Sequence, residues 1–309
     1  MTVKQAVEDY LTDNSHRWKG GTYTTYTKRA ETFIFPALGK VLVVELDTRT
    51  VQRWADGLRK AGVARSTIDG ARAILAGMYK DLIRLGAVSR NPVANIRVGG
   101  VASKAYTTWT FEQVQAVLAS LADDPMWHAM YRVALFTGMR PGELRVLRWS
   151  SVDLDDGVIR VERHEARDDE GRVVDLDGTK TGAGRSILVP ASVVAALKTW
   201  RARQRVQRME AASWDARGYV FTAANGHWVS QAVCQRRHEV VVKTAQVPRV
   251  TLHEMRHTYA TMELASGTDI KIVSVRLGHA NVEMTMNVYQ HVSLAMQEKA
   301  VVALETRLA

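Results

Sequence analysis

The sequence predicts a two-domain protein that is mostly α-helical, with a small antiparallel β-sheet in its C-terminal domain, an α+β fold. Its 309 residues are enough for two ordinary domains. Apolar residues recur at helical spacing from residue 3 to residue 90 and again through most of the C-terminal half. Between Val152 and Pro190 the pattern changes to short β-rich runs separated by Asp/Gly-rich turns, which indicates the sheet.

Residues 1–92 are predicted to form a small helical domain. Its helices are separated by three stop signals, which are the segment FPALG, an Ala-Gly pair and Gly86. We expect four helices, at about Val3–Leu11, Thr22–Phe35, Thr48–Lys60 and Ser66–Leu85.

The fourth of these helices combines an apolar stripe with basic residues. The stripe consists of Ile68, Ala71, Leu75, Met78, Leu82 and Leu85. Such a helix can pack a bundle on one side and face a phosphate backbone on the other. The candidate DNA-binding residues on its more exposed side are Arg65, Thr67, Arg72 and Lys80.

Residues 93–108 are predicted to be a linker, because the periodicity is lost there and Gly, Ser and Lys accumulate. The second domain, residues 109–309, begins where Thr110 and Gln113 fit a capping box. Its helices are expected at about Phe111–Leu121, Met126–Thr137 and Pro141–Leu147, followed by the strands VIRVER, RVVDL and RSILVP. The rest is predicted to be helical, with the strand-like YVFTA near residue 219 as an exception and a tail helix from about residue 293.

Composition narrows the class of protein. The chain has 46% hydrophobic and 24% charged residues, which is typical of a folded protein, and a net charge of +10. Residues 1–100 hold 16 Lys+Arg and 9 Asp+Glu, so this third carries +7 and is the better candidate for a polyanion-binding surface. No run approaches the roughly 20 apolar residues of a membrane span, and the acidic N-terminal segment does not fit a signal peptide. We therefore expect a cytoplasmic protein without a membrane partner, and the single Cys234 excludes an internal disulfide and a multi-cysteine zinc site.

The sequence contains an ordered set of residues that could bind phosphate, donate protons and attack phosphorus. Arginine supplies a permanently charged fork that matches phosphate oxygens, lysine and histidine can donate protons, and tyrosine can attack phosphorus. The candidate catalytic residues are Arg140 in TGMRPGEL, Lys180 in GTKTGAGR, His253 and Arg256 in TLHEMRHTYA, His279 in RLGHA and Tyr289 in MNVYQHV. Glu143 is close enough in sequence to hold Arg140, and we expect Glu254 and His257 to be supporting groups.

The segment His253–His257 also matches H-E-x-x-H, the motif of zinc peptidases. The fixed charge of Arg256 lies on the same side of the helix and would repel a zinc ion, and no third ligand motif follows. A metal site is therefore disfavoured, and a chelator would distinguish the two interpretations.

The order and spacing of these residues resemble the tyrosine recombinase (phage integrase) family over nearly the whole chain. TGMRPGEL is similar to the family's first arginine box and HEMRHTYAT to its second, with Glu254 where the family more often has Asp or another small polar residue. Tyr289 follows His279 by ten positions and Arg256 by 33, which fits the family's histidine box and nucleophile.

The resemblance implies DNA strand exchange without ATP or another cofactor. Tyr289 would attack a phosphodiester to form a 3′-phosphotyrosyl link, and Lys180 would protonate the departing 5′ oxygen. Arg140, Arg256 and His279 would hold the non-bridging oxygens in place of a metal, while His253 assists proton transfer from the tyrosine.

The resemblance also implies partners. Residues 1–92 are similar to the family's SAM-like core-binding domain, which with the catalytic domain would close as a C-shaped clamp on double-stranded DNA core sites. The tail would join subunits into a homotetramer on two paired sites, with an accessory directionality factor possible. Because the core-binding pattern begins within the first few residues, we expect a simple type without an arm-binding domain, either a phage or mobile-element integrase or a Xer-type dimer resolvase. A type IB topoisomerase and a non-catalytic DNA-binding protein of the same fold remain alternatives.

Overall fold

The computed structural model describes residues 1–18, 20–99, 107–168, 172–178, 184–279 and Glu305. The chain divides into two compact units. The first comprises Met1–Ala105 with Ala166–Val174, and the second comprises Tyr106–Glu165 with Asp175–Ala309. The predicted class, mostly helical with a small antiparallel sheet, is confirmed.

The first unit is a helical bundle. A capping box between Thr2 and Gln5 begins α1, and the Asp47 side chain caps α4 by accepting the Thr50 N–H. A π-helical turn, Ala30–Ile34, joins α2 to α3, so the predicted second helix is divided in two by a wider turn. The helices are α1 (Val3–Asp13), α2 (Gly20–Arg29), α3 (Phe35–Leu38), α4 (Thr48–Lys60) and α5 (Arg65–Arg84).

The apolar stripe of α5 is buried as predicted except at its last position. The five residues Ile68, Ala71, Leu75, Met78 and Leu82 pack in the core, whereas Leu85 is 68% exposed. Including Leu85 in the stripe was wrong, because α5 ends at Arg84 and Leu85 is the residue after the last turn. Ile74 and Tyr79 complete the buried face, and the Tyr79 hydroxyl donates a hydrogen bond to the Val43 carbonyl at 2.9 Å.

The second unit is built around α7, which packs against α9 and α11. The predicted capping box of Thr110 and Gln113 begins α6 and is confirmed. Helix α7 ends at Thr137, and Gly138 turns the chain in the left-handed region at φ +60° towards α8. The helices are α6 (Phe111–Ala119), α7 (Pro125–Thr137), α8 (Pro141–Arg145), α9 (Ala191–Glu210), α10 (Gln231–Thr244), α11 (Glu254–Ala265) and α12 (Ile270–Leu277).

The strands form two small sheets. The first has the order β1-β2-β5 and is antiparallel, with Val161 of β2 paired to Arg185 of β5. The second contains β3 and β4. Their bounds are β1 (Val152–Asp153), β2 (Val158–Val161), β3 (Arg163–Arg167), β4 (Val173–Asp177) and β5 (Arg185–Leu188). The YVFTA segment is not helical, as predicted, but it is strand-like only at two isolated bridges, Arg148 with Tyr219 and Thr222 with Trp228. Its residues Tyr219, Val220 and Phe221 are buried in the core of the unit.

The buried carboxylate of Asp175 is bound by three side chains of the second unit. It accepts hydrogen bonds from Arg148 at 2.6 Å, from Arg163 at 2.5 Å and from the Tyr219 hydroxyl at 2.9 Å. A buried charge with two cationic partners and a hydroxyl is fully compensated, so this cluster holds the base of the β3–β4 sheet in place.

None of the helices in the described part of the chain is long and apolar enough to cross a membrane.

We predict that Gly138→Ala lowers the free energy of unfolding by more than about 2 kcal/mol. A side chain at φ +60° costs about 1–2 kcal/mol, and the added Cβ would overlap the Tyr259 ring and approach Leu277 Cδ2 to 2.6 Å, which adds about 1–3 kcal/mol of overpacking. Urea unfolding monitored by circular dichroism measures the change.

Gly267→Ala is the matched control for this substitution. Gly267 also has a positive φ, +89°, but nothing lies within 4 Å of an added Cβ. It should lose only the backbone contribution of about 1–2 kcal/mol. Equal losses in the two variants would show that the close approach of Gly138 to α11 and α12 does not matter.

Candidate active site

Three of the candidate catalytic residues, Arg140, Arg256 and His279, meet at the C-terminal end of α12. The last carbonyls of a helix have no partner inside the helix. Here three successive ones accept hydrogen bonds from three different arginines. The Arg276 carbonyl accepts from Arg185 Nε at 2.7 Å, the Leu277 carbonyl from Arg256 Nη2 at 2.7 Å, and the Gly278 carbonyl from Arg140 Nη2 at 3.1 Å. The negative end of the helix dipole favours all three cations.

Arg140 stands at the residue before α8, as the TGMRPGEL string predicts, and Glu143 holds it. The Glu143 carboxylate accepts hydrogen bonds from the Arg140 backbone N–H and from its Nη1, both at 2.9 Å. The Arg140 side chain keeps 18% of its surface exposed. The guanidinium is therefore fixed in direction and still accessible to an anion.

Glu143 is bound by a second arginine that sequence reasoning missed. Arg185 donates from Nη1 at 3.2 Å and from Nη2 at 2.7 Å to the two carboxylate oxygens. Burial alone would raise the pKa of Glu143, but hydrogen bonding and charge from Arg185, together with Arg140, hold that pKa below its ordinary value. The carboxylate is 1% exposed and stays ionised between the two cations. The one sequence signal for Arg185 is its position at the start of the RSILVP strand, next to the glycine-rich turn.

Arg256 is buried on α11 and spans two chain segments. Its Nη1 donates to the Gly138 carbonyl at 2.8 Å, and its Nη2 reaches the end of α12. Burial first, and then the nearby Arg140, lower its pKa to about 9, so the guanidinium remains protonated at neutral pH. Arg256 thus ties the α7–α8 turn to α12 and adds a second fixed positive charge beside Arg140.

His257 and His279 are neutral at physiological pH. Burial is the main reason that the pKa of His279 falls to about 4, and the charges of Arg256 and Arg140 lower it further. His257 also has a pKa of about 4, because of burial and then His253 and Arg256. The rings of His253 and His257 are 5.6 Å apart, edge to face. A neutral imidazole can donate one hydrogen bond and accept another, which suits proton transfer.

Glu254 lies at the start of α11. Its carboxylate accepts the Thr251 backbone N–H at 2.7 Å, and the Thr251 hydroxyl accepts the Glu254 N–H at 3.2 Å. This reciprocal pair begins the helix and so fixes the direction in which His253 and Arg256 leave it.

Some of the predicted residues cannot be placed in this cluster. Lys180 and Tyr289 lie outside the described residues, as does the tail helix expected from about residue 293.

The four candidate DNA-binding residues belong to α5 in the other unit. Arg65 and Arg72 flank Asp69 at 3.5 and 3.7 Å, and Lys80 is exposed. Thr67 is half-buried and, at about 100° per residue, points roughly 160° away from Arg65. It therefore does not share a face with the basic residues.

In the described ranges no group of three or more His, Cys, Asp or Glu side chains is assembled that could hold a metal ion. Within the cluster described above, the groups suited to an anion are Arg140 and Arg256, with the neutral His279 beside them as a donor. Such a set can bind two phosphate oxygens and stabilise charge that develops on them.

Comparison with known families gives two matches along the chain. The model of the Phage integrase family matches residues 108–296. The model described as Phage integrase, N-terminal SAM-like domain matches residues 2–59.

Similar proteins include recombinases of different origin. A tyrosine recombinase XerC-like protein of Caldanaerobacter subterraneus subsp. tengcongensis is 27% identical over 300 residues, covering 91% of this chain and 75% of that protein. An integrase of Mycobacterium phage FRAT1 is 27% identical over 310 residues, covering 97% of this chain and 86% of the integrase.

Two solved structures share the fold. The Tn1549 transposon integrase in complex with transposon right end DNA superposes with a TM-score of 0.83 at 21% identity, covering 99% of this chain and 100% of that one. A lambda integrase tetramer bound to a Holliday junction gives a TM-score of 0.70 at 18% identity, covering 91% of this chain and 78% of that one.

We predict that the protein loses stability as the pH falls from about 6.5 to about 4. The pKa values of His257 and His279 lie near 4 in the folded state, against an ordinary value of 6.5, so the unfolded chain binds protons first. This contribution is fully present above pH 6.5 and is lost as the pH falls through the window. Urea midpoints at pH 7.0 and 5.0 measure the loss, and His257→Gln should reduce it. A pH slope that is unchanged in this variant would contradict the assignment.

Proposed function

Because this chain belongs to the phage integrase family, we propose that it is a site-specific DNA recombinase that cleaves and rejoins DNA through a 3′-phosphotyrosyl intermediate. Its role would be to integrate or excise a phage or other mobile element. The observation that carries the proposal is the convergence of Arg140, Arg256 and the neutral His279 at the end of α12. Two fixed charges beside a hydrogen-bond donor match the non-bridging oxygens of a phosphodiester.

In the proposed reaction the Tyr289 oxygen attacks phosphorus, the bond from phosphorus to the DNA 5′ oxygen breaks, and the 3′-phosphate stays linked to the tyrosine. His253 assists removal of the phenol proton, which is needed because a phenol with a pKa near 10 is a poor nucleophile. Lys180 protonates the leaving 5′ oxygen. Attack by the 5′-hydroxyl of a partner strand then reverses these steps, so the bond energy is conserved and no ATP is consumed.

The arginines and His279 would act mainly in the transition state. A pre-positioned donor aimed at developing charge contributes roughly 3–4 kcal/mol by analogy with oxyanion holes. Arg140 and Arg256 meet this requirement because Glu143, Gly138 and the end of α12 fix their guanidinium groups before substrate binds.

We propose that residues 1–92 and 109–309 are the core-binding and catalytic domains on double-stranded core sites. The active form would be a homotetramer on two paired sites in the bacterial cytoplasm. The lambda integrase tetramer, which has the same fold, supports this assembly. An accessory directionality factor would decide between integration and excision.

A Xer-type dimer resolvase is the second candidate, and the similarity to XerC-like proteins favours it. The two roles differ in substrate. A dimer resolvase joins two copies of a chromosomal site, whereas an integrase joins an element site to a different host site. Recombination assays with like and unlike pairs of sites therefore distinguish them.

We predict that the protein forms an SDS-resistant covalent adduct with a nicked duplex that carries its core site, in the presence of EDTA, and that Tyr289→Phe abolishes the adduct. The phenylalanine ring lacks the oxygen that must bond to phosphorus. Labelled DNA on denaturing gels gives the measurement. Tyr23→Phe is the control, because Tyr23 is partly exposed in the first unit, and it should retain the adduct.

Other outcomes point to the alternatives. Binding of every candidate duplex without any adduct would favour a non-catalytic DNA-binding protein. An adduct with relaxation of supercoiled DNA but no strand exchange would favour a type IB topoisomerase. An adduct that survives Tyr289→Phe would show that another residue is the nucleophile, and loss of activity in EDTA would favour a metal site at His253 and His257.

A further inference from the structure

We propose that Arg185 is a positioning residue of the active site, which holds Arg140 through Glu143 and holds the segment carrying His279 through the Arg276 carbonyl. The expected effect of Arg185 on the reaction rate rests on the proposed recombinase function. Its expected effect on the structure, a fixed Arg140 guanidinium, is independent of that function.

Arg185 uses its side chain to join three segments. It is the first residue of β5, paired in the sheet with Val161. Its Nη1 and Nη2 form a fork on the two oxygens of Glu143, and its Nε donates to Arg276 at the end of α12. The side chain is only 7% exposed, and its three hydrogen bonds are all made within the protein.

Glu143 shares its hydrogen bonds between two arginines. Its carboxylate is almost completely buried and receives two hydrogen bonds from Arg140 and two from Arg185. Without Arg185 the buried carboxylate would lose two of its four hydrogen bonds in a low-dielectric environment, and Arg140 would be its remaining arginine partner. Arg140 would then be drawn towards Glu143 and away from Gly278 and the incoming phosphate.

The hydrogen bond from Arg185 to the Arg276 carbonyl restrains the segment that carries His279. The carbonyl that Arg185 binds precedes the turn through Gly278 to His279. Gly278 has φ +65°, and an added Cβ would lie 3.0 Å from Arg185 Nη1, so the guanidinium packs directly against this turn. Arg185 therefore restrains both the arginine and the histidine that would face the same phosphate.

Arg145 provides a matched control. It is also a buried arginine, 6% exposed, and it donates from Nε to Glu165 at 2.7 Å. Its hydrogen bonds in the described residues reach neither Glu143 nor the end of α12. Substitution of Arg145 leaves the largely buried Glu165 without the arginine that binds it, whereas substitution of Arg185 removes one of the two arginines that bind Glu143.

The test compares Arg185→Gln, Arg185→Lys and Arg145→Gln on the nicked core-site duplex. By analogy with groups that orient the ligands of a metal site, we expect Arg185→Gln to slow adduct formation about 10- to 100-fold, with unchanged DNA affinity. Arg185→Lys keeps the charge but cannot reach both oxygens and the carbonyl, so it should be intermediate and remains informative if the Gln variant does not fold. Arg145→Gln should react at the wild-type rate per folded molecule. Wild-type rates in the folded Arg185 variants would overturn the proposal.

A double-mutant cycle tests the route through Glu143. In the Glu143→Gln background the carboxylate charge is gone, so Arg185→Gln should slow the reaction by a smaller factor than in the wild type. Equal factors in the two backgrounds would contradict the coupling and overturn the route through Glu143.

A measurement that does not need activity separates this inference from the proposed function. Side-chain ¹⁵N NMR of Arg140 reports how fast its guanidinium rotates. We expect resolved, slowly rotating Nη groups in the wild type and in Arg145→Gln, and averaged signals in Arg185→Gln. If the wild type forms no adduct on any duplex, the proposed function fails while this comparison still decides the role of Arg185. Unchanged Arg140 signals in Arg185→Gln would overturn it.

Discussion

The candidate site depends on the carbonyls at the end of α12, which have no hydrogen-bond partner within the helix itself. Three successive carbonyls bind Arg185, Arg256 and Arg140, and these come from β5, from α11 and from the residue before α8. Elements that are far apart in sequence must therefore meet at one helix end. The requirement is mutual, because the helix end needs donors and the guanidinium groups need acceptors that hold them in fixed directions.

The close approach of the surrounding elements follows from this convergence. Gly138 lets the α7–α8 turn lie against Tyr259 and Leu277, and its carbonyl accepts the second hydrogen bond of Arg256. The three-stranded sheet serves the same purpose, since the pairing of β2 with β5 brings Arg185 to the site. A sheet of only six residue pairs contributes little stability by itself, but it sets the position of one side chain.

Local features were predictable from sequence, and long-range ones were not. The bounds of α4 and the Thr110–Gln113 cap follow from patterns within one turn of helix. Arg140 with Glu143, three residues apart, is equally local. Arg185 was missed because its partners lie 42 and 91 residues away, and only the folded chain brings them together. The YVFTA segment illustrates the same limit: its β-rich composition predicts extended backbone, but the length of the pairing depends on distant segments, and only isolated bridges form.

The group of residues at the end of α12 also has a definite net charge. Three guanidinium groups and one carboxylate leave two net positive charges, and the neutral His257 and His279 add none. A phosphodiester brings one negative charge, and a second develops as a nucleophile adds to phosphorus. In the proposed reaction this group of residues, counted without Lys180, carries one charge more than a phosphodiester needs and matches the charge of the pentavalent state. Such a difference favours the state along the reaction in which the extra charge has formed.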